Sequence, residues 1–263
     1  MPACRLTTTA VDVRREVAIA NRVLWATGLC SGITTSLGHA SQRLPDRPDR
    51  FLVKGRGYKV DALAVMRPED MVECDLDGNL VDGPPGATQC FEVKMHSWMY
   101  KLYPDVKSVV HVHPRHTVLM STLGQTLKPM CQEGHELVRR PLPMYPHLKT
   151  VVSDQEGEEV GRLIDGFKAV LLRGHGATTV GASLEEAVMS MLQLEEQARM
   201  NYQALCALGP DYPSLADELI QEIHNRPPMA ELAHFREPFV RANGQPRVAG
   251  VWQYYTAQVS HDL

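Results

Sequence analysis

No run of 18 consecutive apolar residues occurs in this chain of 263 residues, which argues against a transmembrane helix. A basic stripe is also missing: 27 Lys and Arg stand against 31 Asp and Glu, a formal net charge of −4. Nucleic acid is therefore not expected as a partner. The six cysteines, Cys4, Cys30, Cys74, Cys90, Cys131 and Cys206, form no CxxC pair. Scattered in this way they read as reduced thiols rather than a disulfide framework. Met1 to Ala10 carries one Arg and no apolar core, so it does not read as a signal peptide. No low-complexity segment, repeat or linker divides the chain. The expectation is a soluble cytoplasmic protein with no membrane partner.

What is present is an alternation of helical and extended patterns. Val13, Val17, Ala20 and Leu24 recur at helical spacing over 11–27, with Thr8 or Thr9 as a cap and Gly28 as a stop. Residues 29–61 are rich in Gly, Ser and Thr and turn at Pro45 and Pro48. Strands are expected at 51–54 and 71–76, the second closed by the Asp77-Gly78 turn signal. A helix is expected over 91–103, a strand over 108–113 and a helix over 116–123. Ser153 and Ser183 each open a capping-box pattern with a Glu three residues on, before helices. Between them, 168–172 reads as a strand ending in Arg173-Gly-His-Gly176. One α/β domain is the economical reading, spanning 1–210. A C-terminal extension, 211–263, would pack on the same domain or on a neighbouring subunit.

The chemistry lies in the histidines. His111 and His113 sit two apart on an expected strand, so both rings leave the same face, with Cα atoms about 6.5 Å apart. That spacing suits two ligands of one metal ion; taken alone it also fits a pair of surface histidines. His175 follows another apolar strand, where Gly174 and Gly176 give the backbone room to turn. A three-histidine site needs a third ligand from another element, and His175 is placed to supply it. Glu92 adds a carboxylate that can ligate the metal or act as general acid/base. His96 lies one turn further on the same face, either supporting the site or as a structural histidine.

These segments, in order, resemble the class II aldolase/adducin family. The matching residues are Glu92 with Met95-His96, Pro104-Asp105-Val106, Val109-Val110-His111-Val112-His113, Leu172-Arg173-Gly174-His175-Gly176 and Gly181. The resemblance implies a single-domain three-layer α/β/α sandwich, usually a homotetramer with sites near subunit interfaces. It also implies one divalent metal ion per subunit (Zn, Mn, Fe or Co) on His111, His113 and His175, with Glu92 as ligand or acid/base.

The departures bear on the substrate. Sugar-phosphate members hold phosphate with hydroxyl-bearing loops. Here those loops read Gly38-His39-Ala40-Ser41 and Val53-Lys54-Gly55-Arg56-Gly57, and two serines before the glutamate are replaced by Cys90 and Phe91. A small carboxylate suits Lys54 and Arg56 in a glycine-rich loop, with His39, Ser41 and Phe91 nearby. This pattern is closer to the decarboxylases of hydroxylated aromatic or heteroaromatic acids. The expected activity is a metal-dependent carbon–carbon lyase, a decarboxylase in which Glu92 or His96 protonates the ring carbon. The alternatives are an aldolase on a hydroxy-carbonyl substrate, an iron-dependent oxidase or oxygenase, and a non-catalytic adducin-like module. Gly55-Arg-Gly57 lacks a dinucleotide fingerprint's third glycine, and Arg173-Gly-His-Gly176 lacks a P-loop ending.

Overall fold

A computed structural model describes residues 10–228, 231–234, 236 and 250–263. The expected caps Thr8 and Thr9 lie outside the described residues, as does most of the Pro- and Gly-containing part of the tail. In chain order the elements are α1 (Ala10–Ala26), β1 (His39–Arg43), β2 (Arg50–Arg56), β3 (Met71–Asp75), β4 (Leu80–Asp82), β5 (Thr88–Gln89) and α2 (Val93–Leu102). Then follow β6 (Ser108–Val112), α3 (Arg115–Thr122), α4 (His135–Val138), β7 (Met144–Tyr145), α5 (Asp154–Leu163), β8 (Ala169–Leu172) and β9 (Gly176–Gly181). The chain continues with α6 (Leu184–Leu208), α7 (Asp217–His224) and α8 (Val251–Val259).

The strands form one sheet in the order β4-β3-β2-β1-β6-β9-β8-β7, with β5 beside β2. Its pairings are antiparallel except β7 with β8. Both faces are covered, and strand parity decides which residue goes where. Val110 and Val112 join a core with α1 and α6, whereas Val109 joins a core with α2 and α5. Sheet and two helical layers give the expected three-layer α/β fold. Among the described residues no helix is long and apolar enough to cross a membrane.

α5 fixes where α2 lies. Its start is a full capping box, Ser153 accepting from Glu156 N while Glu156 accepts from Ser153 N. Such a cap contributes about 1 kcal/mol. Gly157 then lets α5 press on α2: a Cβ there would fall 2.7 Å from Lys94 O and 2.6 Å from the Trp98 ring. The Ser183 motif is only half a box. Glu186 N bonds Ser183 Oγ, but the Glu186 carboxylate takes Ala182 N and Lys168 instead.

Three expectations change. β1 was not anticipated within 29–61, where its sequence His39-Ala-Ser-Gln-Arg43 carries no apolar alternation. The expected loop carrying Lys54 and Arg56 is the end of β2. The helix after Cys90 begins at Val93, leaving Glu92 at its N-cap position, where the helix dipole favours a carboxylate. In the tail, Arg22 of α1 binds Val259 O and the Asp262 carboxylate, and Trp252, Tyr255 and Leu263 pack on the α1 core. The described end of the chain thus lies against its own body.

Candidate metal centre

The sheet register assembles the site. His39 of β1 pairs with His111 of β6, and His111 pairs with Thr178 of β9. Odd-numbered residues of β1 and β6 and even-numbered residues of β9 face α2, so His39, His111 and Thr178 meet the residues that α2 presents. β6 ends at Val112, one residue short of the expected strand, yet His113 still turns to the same face. Its Nε2 lies 3.1 Å from His111 Nε2. His175 enters from the β8–β9 turn, in which Gly174 has φ 67°, a conformation that glycine adopts without strain. A Cβ on Gly176 would sit 2.4 Å from Val112 O, so a side chain there would push β9 and His175 away from β6.

Glu92 sits between these rings. Its Oε2 is 3.2 Å from His111 Nε2 and 3.6 Å from His39 Nε2, and its Oε1 is 3.5 Å from His175 Nε2. Val151 N donates to Oε1 at 3.3 Å. Burial favours the neutral acid, but His111 and His39 outweigh it and hold the carboxyl well below the usual range. Burial also pushes His113 down to about 3, with His111 and His175 adding to the effect, and lowers His175. The His113 and His175 imidazoles are thus neutral near pH 7 and offer lone pairs.

This donor set fits a divalent cation. Glu92, His111, His113 and His175 each place one ligand atom within 4.8 Å of the others. Three imidazole nitrogens and one carboxylate oxygen match the three-nitrogen, one-oxygen sets that divalent metals accept. His111 has its tautomer fixed: Thr178 donates to Met95 Sδ at 2.7 Å, so its oxygen accepts the His111 Nδ1 proton at 3.0 Å. With Nδ1 so engaged, Nε2 is the atom that His111 turns toward the cluster, 3.2 Å from Glu92 Oε2. Nδ1 of His175 is buried without a hydrogen-bond partner among the described residues. Two more groups of possible ligands occur, His39-Cys90-His96 and His135-Glu136-His224. In the first, the two histidine rings already bond each other.

The residues expected to touch substrate separate into two sets. Phe91 is 65% exposed beside Glu92, and the Arg56 guanidinium stacks over its ring at 4.5 Å. By contrast His39, Ser41 and His96 are buried. His96 bonds His39 and Ser41. With no surface to offer, Ser41 and His96 lie behind Glu92 rather than against a substrate. Lys54 is buried too, its ammonium 2.5 Å from Asp61 and 3.1 Å from Ser36 O. Asp61 also holds Arg56 at 3.4 Å, so these cations are not an open carboxylate clamp. Thr178, Val151, Tyr100 and Asp61 were not anticipated as members of this region. Only Tyr100 carried a signal, four residues beyond His96 on the helix line that begins at Glu92.

A cavity of about 980 Å³ lined by Glu133, His135, Phe167, Lys168 and Glu186 shares no residue with the cluster. The centre is defined by its converging donors, not by that hollow.

Residues 15–202 match the class II aldolase and adducin N-terminal domain. A 3,4-dihydroxyphthalate decarboxylase of Arthrobacter keyseri is 32% identical over 208 residues, 76% of this chain and 82% of that protein. One from Rhodococcus jostii (strain RHA1) is 33% identical over 205 residues, 74% of this chain and 82% of that protein. An aldolase II superfamily protein from Pseudomonas syringae superposes with a TM-score of 0.74 at 20% identity, over 96% of this chain and 92% of that one. The family match covers most of the chain and includes Glu92, His111, His113 and His175, so the chain belongs to the class II aldolase and adducin family.

Proposed function

We propose that this protein is a divalent-metal-dependent carbon–carbon lyase that decarboxylates a hydroxylated aromatic or heteroaromatic carboxylate. The observation that carries the reading is the convergence of Glu92, His111, His113 and His175, flanked by the exposed ring of Phe91. The decarboxylase relatives support it, as does the placement of the phosphate-holding positions: Ser41 is buried, and Cys90 and Phe91 stand where sugar-phosphate members carry serines before Glu92.

His111, His113 and His175, with Glu92 until substrate takes its place, would hold a divalent cation, which would supply Lewis-acid stabilisation of the negative charge that develops as the bond breaks. The chain's own groups do the rest. His111 is held in one tautomer by Thr178, so its donor atom needs no reorganisation. Phe91 offers a flat apolar face on which a substrate ring can lie, with Arg56 on the ring's other contact. Glu92, ionised at rest, takes the proton of the substrate hydroxyl. The bond to the carboxylate carbon breaks, CO2 leaves, and its electron pair stays on the ring. Glu92 then returns the proton to that ring carbon, so protons and charge balance. His96 takes no part in this transfer, because its ring is enclosed behind His39.

The test is incubation of metal-loaded protein with dihydroxyphthalate-type acids. Release of CO2, abolished in His113→Ala, is the expected result. An aldehyde released from hydroxy-carbonyl substrates without CO2 would assign the same centre to aldol cleavage.

A further inference from the structure

Behind Glu92 the helix and the sheet mesh at matched spacing. Glu92, His96 and Tyr100 lie four residues apart along α2, a rise of about 6 Å per step. His39 and Ser41 lie two apart on β1, a step of about 6.7 Å on the same face. The two columns therefore interleave. His39 stands between Glu92 and His96, and Ser41 between His96 and Tyr100. His39 Nδ1 is 2.7 Å from His96 Nε2, His96 Nδ1 is 2.6 Å from Ser41 Oγ, and Ser41 Oγ is 2.7 Å from the Tyr100 hydroxyl. At the far end the Arg43 guanidinium lies 4.8 Å over the Tyr100 ring. All four linked residues are at most 3% exposed.

The chain has one consistent direction. The Glu92 carboxylate has only acceptor sites, so the His39 nitrogen facing it at 3.6 Å carries the proton. A neutral His39 then accepts at Nδ1, so His96 donates from Nε2 and accepts at Nδ1. Ser41 must donate to that atom, which leaves its oxygen to accept from Tyr100.

We propose that Tyr100, Ser41, His96 and His39 are positioning residues, a one-way hydrogen-bond ladder that aims the Glu92 carboxylate at His111 and His175. The proposal rests on Glu92 belonging to the metal centre. It gives Ser41 and His96 a task other than substrate binding or proton donation, and it adds Tyr100, whose hydroxyl otherwise has no use.

The experiment compares Ser41→Ala, Tyr100→Phe, His96→Leu and His96→Gln with the unaltered protein. Zn2+ affinity is read by competition with a chromogenic chelator, and ligand geometry by the visible absorption of the Co2+-loaded protein. Ser41→Ala and Tyr100→Phe each remove one oxygen and almost no volume. They should weaken Zn2+ binding about 10-fold, as lost support for metal ligands does, and shift the Co2+ bands. His96→Leu should do more. His96→Gln, which can still accept from Ser41 and donate to His39, should restore most of the affinity. Unchanged Zn2+ affinity and Co2+ spectra in both Ser41→Ala and Tyr100→Phe would overturn the ladder, even if His96→Leu fails to fold. His113→Ala separates the two readings. If it loses Zn2+ while the ladder variants keep it, only the ladder fails. If His113→Ala binds Zn2+ as tightly as the parent, the metal centre fails and the ladder with it.

Discussion

Thr178 Oγ1 lies 3.0 Å from His111 Nδ1 and gives its own proton to Met95 Sδ. The sulfur has no proton to return, so the hydroxyl is committed as an acceptor on its other side. This small arrangement sets the state of a metal ligand from one strand away. Thr178→Val keeps the shape and removes the acceptor. It leaves the fully buried Nδ1–H of His111 unpaired, at a cost of about 1–3 kcal/mol. Metal affinity should fall at least about 10-fold. Denaturant unfolding and chelator competition measure the two effects, and a Thr178→Val protein equal to the parent in both would refute the tautomer lock.

Two neighbouring histidines, His39 and His113, make the metal-stripped protein sensitive to mild acid. Unfolded, His39 and His113 take up protons near their ordinary 6.5; folded, they do so only near 4 and 3. Between those values the unfolded chain holds more protons, so stability rises with pH and is lost as pH falls from 6.5 toward 3. Each group contributes a slope of up to about 1.4 kcal/mol per pH unit. Glu92 acts in the same direction at lower pH, since its folded carboxyl is held down. Urea midpoints with chelator present should drop steadily from pH 7 to 5, and His39→Gln should flatten the decline. A midpoint constant over that range would contradict the burial of neutral rings.

Much of the centre was legible because its ligands obey simple periods. His111 and His113 are two apart on or beside a strand, and His175 stands between glycines after another. What stayed hidden is β1. Its inward face is His39, Ser41 and Arg43, polar groups that become buried because α2 satisfies them. Hydropathy reads such a segment as a loop, since the partners are 50 or more residues away. For the same reason Lys54 looked like a free cation: Asp61, seven residues on, neutralises it only once the chain has folded. Parity settles the point, because Lys54 shares its face with Leu52 and not with Phe51 and Val53, which belong to the α2-side core.

Phe91 separates substrate recognition from stability. Its ring is 65% exposed and meets Arg56 at 4.5 Å, a contact of about 0.5–1 kcal/mol at such a site. Phe91→Ala should therefore change unfolding stability by no more than about 1 kcal/mol. If the ring is the platform for an aromatic acid, the KM for that acid should rise about 10-fold with Zn2+ affinity unchanged. An unaltered KM would remove Phe91 from the substrate site and leave the metal centre intact.

Asp61 gives the opposite case, a charge whose work is structural. Lys54 is 1% exposed, and burial lowers its ammonium's proton affinity while Asp61 opposes that loss. Asp61→Asn would leave a buried ammonium with Ser36 O as its remaining close acceptor. Breaking such a pair from one side costs about 3–5 kcal/mol, whereas replacing both partners with apolar groups is often close to neutral. The double variant Asp61→Leu with Lys54→Met should therefore recover most of the stability lost in Asp61→Leu alone, a coupling that urea unfolding of Asp61→Leu, Lys54→Met and the double variant measures. Additive losses would mean that Lys54 is held by something other than Asp61. A carboxylate clamp at Lys54 predicts a different outcome again: Lys54→Met would raise KM for a carboxylate substrate in either background. The ion pair predicts that KM stays constant while stability alone moves.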